Sequence, residues 1–171
     1  AIRAMGGKSQ AKALMAEAQG DFIQAQAENA EAIKAKPLQA EWLMQKARLE
    51  GYLLRYAPAL ETYTSIAQRF PEKSTKAWRA AHEIALESGQ LDLALEYALR
   101  SLQAGYRPDS RGNRSSSFES VLYVLTDYRT GLCPQLPSLM ADFKQRNIAP
   151  AWLPQLARDV EWNCKQELKH L

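Results

Sequence analysis

The chain has 171 residues, of which 46% are hydrophobic and 24% are charged, and its net charge is +3. These values are ordinary for a soluble globular domain with its own core, and a charge of this size and mixed sign does not support nucleic-acid binding. The apolar runs are short and interrupted by charges, which excludes a helix that spans a bilayer.

The first ten residues contain no apolar stretch of the kind found in signal peptides. The chain begins with Ala1 rather than Met, so one interpretation is a processed or trimmed piece of a longer protein. The cytoplasm is the favoured location. The periplasm is the alternative, in which a targeting segment or anchor precedes Ala1.

Six helices are predicted before residue 106. The first covers residues 8–19, where Ala-rich sequence without Gly or Pro favours a helix that Gly20 and Asp21 end. Pro or Gly follows several of the others, as expected of residues that do not continue a helix, and Ser74 and Thr75 can cap exposed first-turn amides. These other helices are predicted over residues 22–36, 38–54, 57–70, 74–88 and 91–104.

A phrase recurs about every 34 residues in this part of the chain. Its large apolar residues, at steps of 34 and 35, are Phe22, Tyr56 and Leu91. Its small residues, three positions after each of them, are Ala25, Ala59 and Ala94. The small residues let paired helices approach closely, and each pair alone would expose an apolar face. A period of this length therefore predicts a solenoid of helical hairpins.

The character of the sequence changes after Gly105. Residues 107–117 are polar and rich in Gly, Pro and Ser, which predicts an irregular loop. The capping box from Ser116 to Glu119 predicts a helix over residues 118–129, followed by one over 138–147. We interpret 118–147 as a degenerate fourth hairpin of the same domain. A last helix that has Pro154 in its first turn and runs to Lys169 is interpreted as a cap.

The chain has two cysteines, Cys133 and Cys164, at a spacing that matches no CxxC metal or redox pattern. The favoured interpretation is two separate, partly buried thiols in a helical packing. The alternative is a disulfide that pins the last helix, which would require an oxidising compartment.

The repeated phrase resembles that of the tetratricopeptide repeat family, in which a glycine–acidic–aromatic turn precedes a small residue and a closing proline. The residues that match in the first repeat are Gly20, Asp21, Phe22, Ala25, Ala32 and Pro37. Those of the second are Tyr56, Ala59, Tyr63 and Pro71, with Leu54 in place of the turn glycine. Those of the third, which lacks the closing proline, are Trp78, Gly89, Leu91 and Ala94. The resemblance covers about residues 6–106, in repeats of about 6–39, 40–73 and 75–106.

The resemblance implies a right-handed superhelix of antiparallel helix pairs, whose first helices line a concave groove for a peptide or helix of a partner protein. The side chains expected to face this groove are Gln10, Leu14, Glu17, Met44, Arg48, Tyr52, Lys76, Arg79 and Glu83. The cations Arg48, Lys76 and Arg79 together with Tyr52 suit an acidic or amphipathic segment of the partner. The alternative is that these residues are solvated charges on ordinary helices. Some family members grip a partner's C-terminal carboxylate, but Gln10 and Leu14 do not match that pattern.

Outside the expected groove, the sequence gives little support for a phosphate-binding or catalytic site. Residues 6–9, Gly-Gly-Lys-Ser, resemble the end of a phosphate-binding loop, but Ile2 stands where that loop needs a glycine. We expect a frayed turn there. His82 lies among apolar helix residues and is expected to be packed, and no context supports Cys133 as a nucleophile. We expect no enzyme activity, cofactor, metal site or small-molecule substrate.

The one local basic cluster is Arg107, Arg111 and Arg114. Solvated linker residues are the favoured interpretation of this cluster. The alternative function is a nucleic-acid-binding helical-repeat regulator that uses this loop, although the helices lack the regular base-reading pairs of RNA-binding repeats. The favoured function is a protein–protein interaction scaffold or adaptor. Its expected setting is a larger bacterial multi-subunit assembly, such as one for envelope secretion or polysaccharide export.

Overall fold

The computed structural model of the chain describes residues 2–105 and 133–168. Every regular element in these two ranges is helical, which confirms the all-α prediction. Short 3₁₀ turns cover Pro71–Lys73 and Cys133–Gln135. The α-helices are α1 (Ile2–Ala18), α2 (Phe22–Ala35), α3 (Ala40–Tyr52), α4 (Tyr56–Arg69), α5 (Ser74–Glu87), α6 (Leu91–Gln103), α7 (Leu136–Gln145) and α8 (Leu153–Leu168).

The chain forms two compact units, Ala1–Ile84 (unit 1) and Ala85–Leu171 (unit 2). The loop predicted over residues 107–117 and the helix predicted over 118–129 lie outside the described residues. None of the described helices is long and apolar enough to cross a membrane.

The turns inside the three predicted repeats share one backbone conformation. Gly20, Leu54 and Gly89 all have positive φ, at 78°, 59° and 74°. In the first turn the Gly20 amide donates to the Glu17 carbonyl at 3.0 Å, and the Asp21 amide donates to the Ala16 carbonyl at 2.9 Å. The same two bonds close the other turns, so each helix ends in a Schellman motif. The 34- and 35-residue period is therefore present in the backbone.

The first helix starts earlier than predicted. Residues 6–9 lie inside α1, so the expected frayed turn is wrong. Gly6 is buried, and a Cβ placed on it would lie 3.0 Å from the Ala35 Cβ and 3.0 Å from the Trp42 ring. Glycine at this position lets α1 approach α2 and α3 closely, and this packing outweighs the low helix propensity of glycine.

Consecutive helices of unit 1 pack against each other through small residues. Helix α1 contacts α2, α2 contacts α3, and α3 contacts α4. Ala25 and Ala59 are fully buried, as the repeat predicted. Helices α3 and α4 are also joined by the buried Glu50 carboxylate, whose Oε1 accepts from Lys46 Nζ at 3.2 Å and from Thr62 Oγ1 at 2.9 Å.

Ser74, one of the two residues expected to cap α5, bonds to the preceding helix. The hydroxyl of Ser74 donates to the Ala67 carbonyl at 2.8 Å, so it satisfies the C-terminal end of α4 rather than the first amides of α5. The 3₁₀ turn Pro71–Lys73 connects the two helices directly.

Unit 2 is built around α6, which buries Leu95, Leu99 and Leu102. Arg146, at the end of α7, donates to Glu96 of α6 at 2.5 Å. Pro137 lies in the first turn of α7, so this helix begins at Leu136 rather than at residue 138 as predicted.

The two cysteines are bonded to each other in unit 2. The Cys133–Cys164 disulfide connects the segment before α7 to α8, with a Cα–Cα distance of 5.8 Å. The favoured expectation of two separate thiols is therefore wrong. Its alternative, a disulfide that pins the last helix, is what the structure contains.

Candidate partner-binding surface

The residues predicted to line a groove lie on three helices of unit 1. Gln10 is on α1, Met44, Arg48 and Tyr52 are on α3, and Lys76, Arg79 and Glu83 are on α5. Arg48, Tyr52 and Glu83 act on the pKa of Tyr63, and Lys76 acts with Arg48 on that of Glu41. We call the surface made by Leu14, Glu17, Arg48, Tyr52, Lys76 and Glu83 the α1–α3–α5 surface.

An ion pair lies at the centre of this surface. Arg48 Nε is 2.5 Å from Glu17 Oε1, and an Arg48 terminal nitrogen is 2.9 Å from Glu17 Oε2. This forked geometry is the strong form of a carboxylate–guanidinium pair. The hydrogen bond from Arg48 is the main reason that the pKa of Glu17 lies below its ordinary value. Arg48 is thus half of a neutral pair rather than a free cation.

Two buried side-chain amides, those of Gln45 and Asn29, form a hydrogen-bonded network that holds the Glu17 carboxylate. Gln45 Nε2 donates to Glu17 Oε2 at 3.1 Å, and Asn29 Nδ2 donates to Gln45 Oε1 at 3.0 Å and to the Trp42 carbonyl at 2.9 Å. Asn29 and Gln45 are each 1% exposed. Because a buried amide without partners is costly, this network fixes the relative positions of α1, α2 and α3.

Sequence reasoning missed this network. The signal was available in the register: Asn29 lies 34 residues before Tyr63, at a position of the repeat where an apolar or aromatic side chain is expected. A polar residue on a buried stripe calls for a polar partner, and Gln45 of the next helix supplies it.

Exposed apolar side chains lie on the same surface as the ion pair. The ring of Tyr52 stacks on that of Phe22, with centroids 4.7 Å apart and an interplanar angle of 28°. Tyr52 is nevertheless 51% exposed, and Leu14 of α1 is 48% exposed. A stacked aromatic ring that keeps one face open is a rigid contact point for a partner, because little side-chain entropy remains to be lost on binding.

Tyr63 of α4 is a buried residue that interacts with side chains of the α1–α3–α5 surface. It is 6% exposed, and burial raises the pKa of its phenol to about 12. The charges of Arg48 and Glu83 and the phenol of Tyr52 also act on this pKa, which places these side chains around Tyr63. The structure therefore brings predicted groove residues from α3 and α5 into one neighbourhood.

A second ion pair lies close to Lys76 of this surface. Glu41 pairs with Lys73, and this hydrogen bond is the main reason that the pKa of Glu41 is lowered. Lys76 contributes to the same shift through its charge, so it lies near Glu41. Within the described residues the Lys76 ammonium has no ion pair.

The remaining candidate residues are placed as follows. His82 is 2% exposed, in agreement with the expectation of a packed histidine. Cys133 is in the disulfide and is therefore not a thiol nucleophile. The part of the chain that the structure describes contains no group of three or more His, Cys, Asp or Glu side chains that could hold a metal ion. Arg107, Arg111 and Arg114 lie outside the described residues.

No protein-family model matches this chain, and no curated protein matches it.

Proposed function

We propose that this chain is a protein–protein interaction module of the tetratricopeptide type, a right-handed solenoid of helical hairpins that binds a peptide or helix of a partner on its α1–α3–α5 surface. The observation that carries the proposal is the recurrence of one Schellman turn at Gly20, Leu54 and Gly89. Equivalent turns at a constant period are expected where the same hairpin is built three times.

The chemistry of the surface favours an amphipathic partner segment over a purely acidic one. Of the two cations of this surface, Arg48 is already paired with Glu17, which leaves Lys76 alone to attract a run of acids. The exposed groups at its centre are the aromatic face of Tyr52 and the side chain of Leu14. A helix with an apolar stripe would cover these groups, and polar side chains beside the stripe would face the Glu17–Arg48 pair.

The proposal is tested by affinity capture with a double variant, Leu14→Glu with Lys76→Glu. Both side chains are exposed, so the fold should remain intact, and this is checked by helical circular dichroism. We expect proteins captured by the wild type from its source extract to be lost, since the variant places two negative charges on the binding surface.

The matched control is Leu38→Glu with Lys12→Glu. Leu38 is 68% exposed, and Lys12 is two residues from Gln10 along α1, which places it about 200° around the helix axis from Gln10. This control has the same change in charge and in apolar area at other places on unit 1. A partner that the α1–α3–α5 variant retains, or that both variants lose equally, would contradict the proposed surface.

A further inference from the structure

An apolar cleft lies between α7 and α8 of unit 2, and none of its lining residues belongs to the α1–α3–α5 surface. Its volume is about 430 Å³. The side chains that form its walls are Pro137, Met140 and Ala141 on α7 and Leu153, Pro154 and Ala157 on α8. Pockets that bind small molecules have volumes of roughly 300–1,000 Å³ and mostly apolar walls with few polar groups.

The cleft remains open because its walls are short and its two helices are tied together. Ala and Pro side chains are too small to fill the space between the helices. The large side chains Phe143 and Leu156 are fully buried and do not line the cleft. The disulfide of Cys133 and Cys164 joins the helix pair covalently.

The turn between the two helices is held as well. Asn147 takes a left-handed conformation with φ 56°, and the Ile148 amide donates to the Phe143 carbonyl at 2.9 Å. The Ala149 amide then donates to Gln103 Oε1 of α6 at 3.2 Å. With both a disulfide and an anchored turn, the helices resist the collapse that would close an empty cleft, so the site is preorganised.

One charged side chain, Lys144, lines the cleft. Its ammonium has no ion pair or hydrogen bond among residues 2–105 and 133–168. Its position in the last turn of α7 is favourable for a cation by itself, through the helix dipole. Beside apolar walls, however, it also offers charge complementarity to a ligand that joins one anionic group to an apolar chain.

We propose that this cleft binds a small anionic amphiphile, an aliphatic chain with a single carboxylate head. The chain lies against Met140 and Leu153, and the carboxylate meets the Lys144 ammonium at the rim. The site shares no residue with the α1–α3–α5 surface and does not rest on the proposed function.

The test is a titration of the full chain, labelled with ¹³C at the methionine methyl groups, with decanoate below its micelle concentration. The chain has four methionines, and Met140 lies in the cleft while Met15 is 63% exposed on α1. The Met140 signal is assigned from Met140→Leu. We expect a saturable shift of Met140 with Met15 unchanged. No shift of Met140, or equal shifts of both signals, would overturn the proposal.

The role of the head group is tested with Lys144→Glu. We expect decanoate affinity to fall about tenfold, because the reversal replaces the weak attraction of an exposed ion pair by a repulsion of similar size. Decyltrimethylammonium should then become the tighter ligand. The control is Lys165→Glu on α8, an exposed charge whose reversal should leave decanoate affinity unchanged. Equal loss in both variants, or no loss in Lys144→Glu, would contradict the assignment.

Discussion

Two adjacent glycines of α1 show how packing and helix propensity act at the level of single residues. Gly7 is exposed, and a Cβ there would meet nothing within 4 Å, so Gly7→Ala should raise the free energy of unfolding by about 0.5–1 kcal/mol. At Gly6 the added methyl group would press on Ala35 and Trp42. We expect Gly6→Ala to lower that free energy by about 1 kcal/mol, because overpacking exceeds the gain in propensity. Urea denaturation measures both, and equal signs would contradict this packing.

Leu54 is the residue of the repeated turns that is least suited to its backbone. It takes φ 59°, where its equivalents are glycines, and its side chain is 68% exposed. Leu54→Gly should therefore stabilise the protein by about 1 kcal/mol through relief of left-handed strain. Gly20→Ala, at the equivalent turn, should destabilise it by a similar amount. Thermal unfolding of the two variants checks these opposite signs, and a destabilised Leu54→Gly would show that its side chain contributes contacts that outweigh the strain.

The Glu17–Arg48 pair has a definite pH signature. Because the pKa of Glu17 is lowered in the folded state, its contribution is complete above the ordinary glutamate pKa of about 4.3 and is lost as the pH falls through the lower folded value. We expect Glu17→Gln to be less stable than the wild type at pH 7 by about 1 kcal/mol, and the two to converge below pH of about 4.

The measurement is urea denaturation of both proteins across that pH range. A difference that does not change with pH would contradict an ionic role for Glu17. Glu161→Gln is the control: the pKa of Glu161 is also lowered, by Lys165, but this pair is fully exposed to solvent, so the difference from the wild type should be much smaller at every pH.

At the scale of elements, the Cys133–Cys164 disulfide stabilises the position of α8. The bridge between Cys133 and Cys164 closes a loop that contains α7, the following turn and most of α8. A bridge of this separation stabilises a fold by about 2–4 kcal/mol, mainly by restricting the unfolded chain. Cys133→Ser with Cys164→Ser should therefore destabilise unit 2 by that amount.

Hydrogen exchange of α7 and α8 amides, with and without the bridge, measures this effect. Unit 1 amides are the internal control and should exchange at unchanged rates. Unchanged protection of α8 would contradict a stabilising role. Since disulfides persist in oxidising compartments, we also expect the native protein to carry a blocked pair of cysteines before reduction, which alkylation and mass spectrometry detect.

The accuracy of the predicted helix bounds depended on whether the residues that determine each bound are close in sequence or distant. The ends of α2, α4 and α6 follow from turn residues close in sequence, so their bounds agree with prediction to within one residue. The turn at Leu54 was found without its glycine because the period supplied the register. The start of α1 was missed because Gly6 is explained by contacts with Ala35 and Trp42, which are distant in sequence.

The candidate site was predictable to a similar extent. Helical spacing predicted Arg48, Tyr52 and Glu83 in one groove, which stays a prediction; the structure shows that all three act on the pKa of Tyr63. The partner of Arg48 was not predicted, because the pairing with Glu17 requires the relative height of α1 and α3. The disulfide was only the alternative prediction for the same reason: a spacing of 31 residues does not determine which helix faces meet.

At the scale of the whole molecule, the central claim is that a partner protein contacts the α1–α3–α5 surface. The most direct measurement is photo-crosslinking from single positions in the full chain. A photoreactive residue replaces Leu14, an exposed member of that surface, or Leu38, which is more exposed but lies between α2 and α3. We predict a crosslinked partner from position 14 and none from position 38. A partner crosslinked from position 38 alone, or equally from both positions, would contradict the claim.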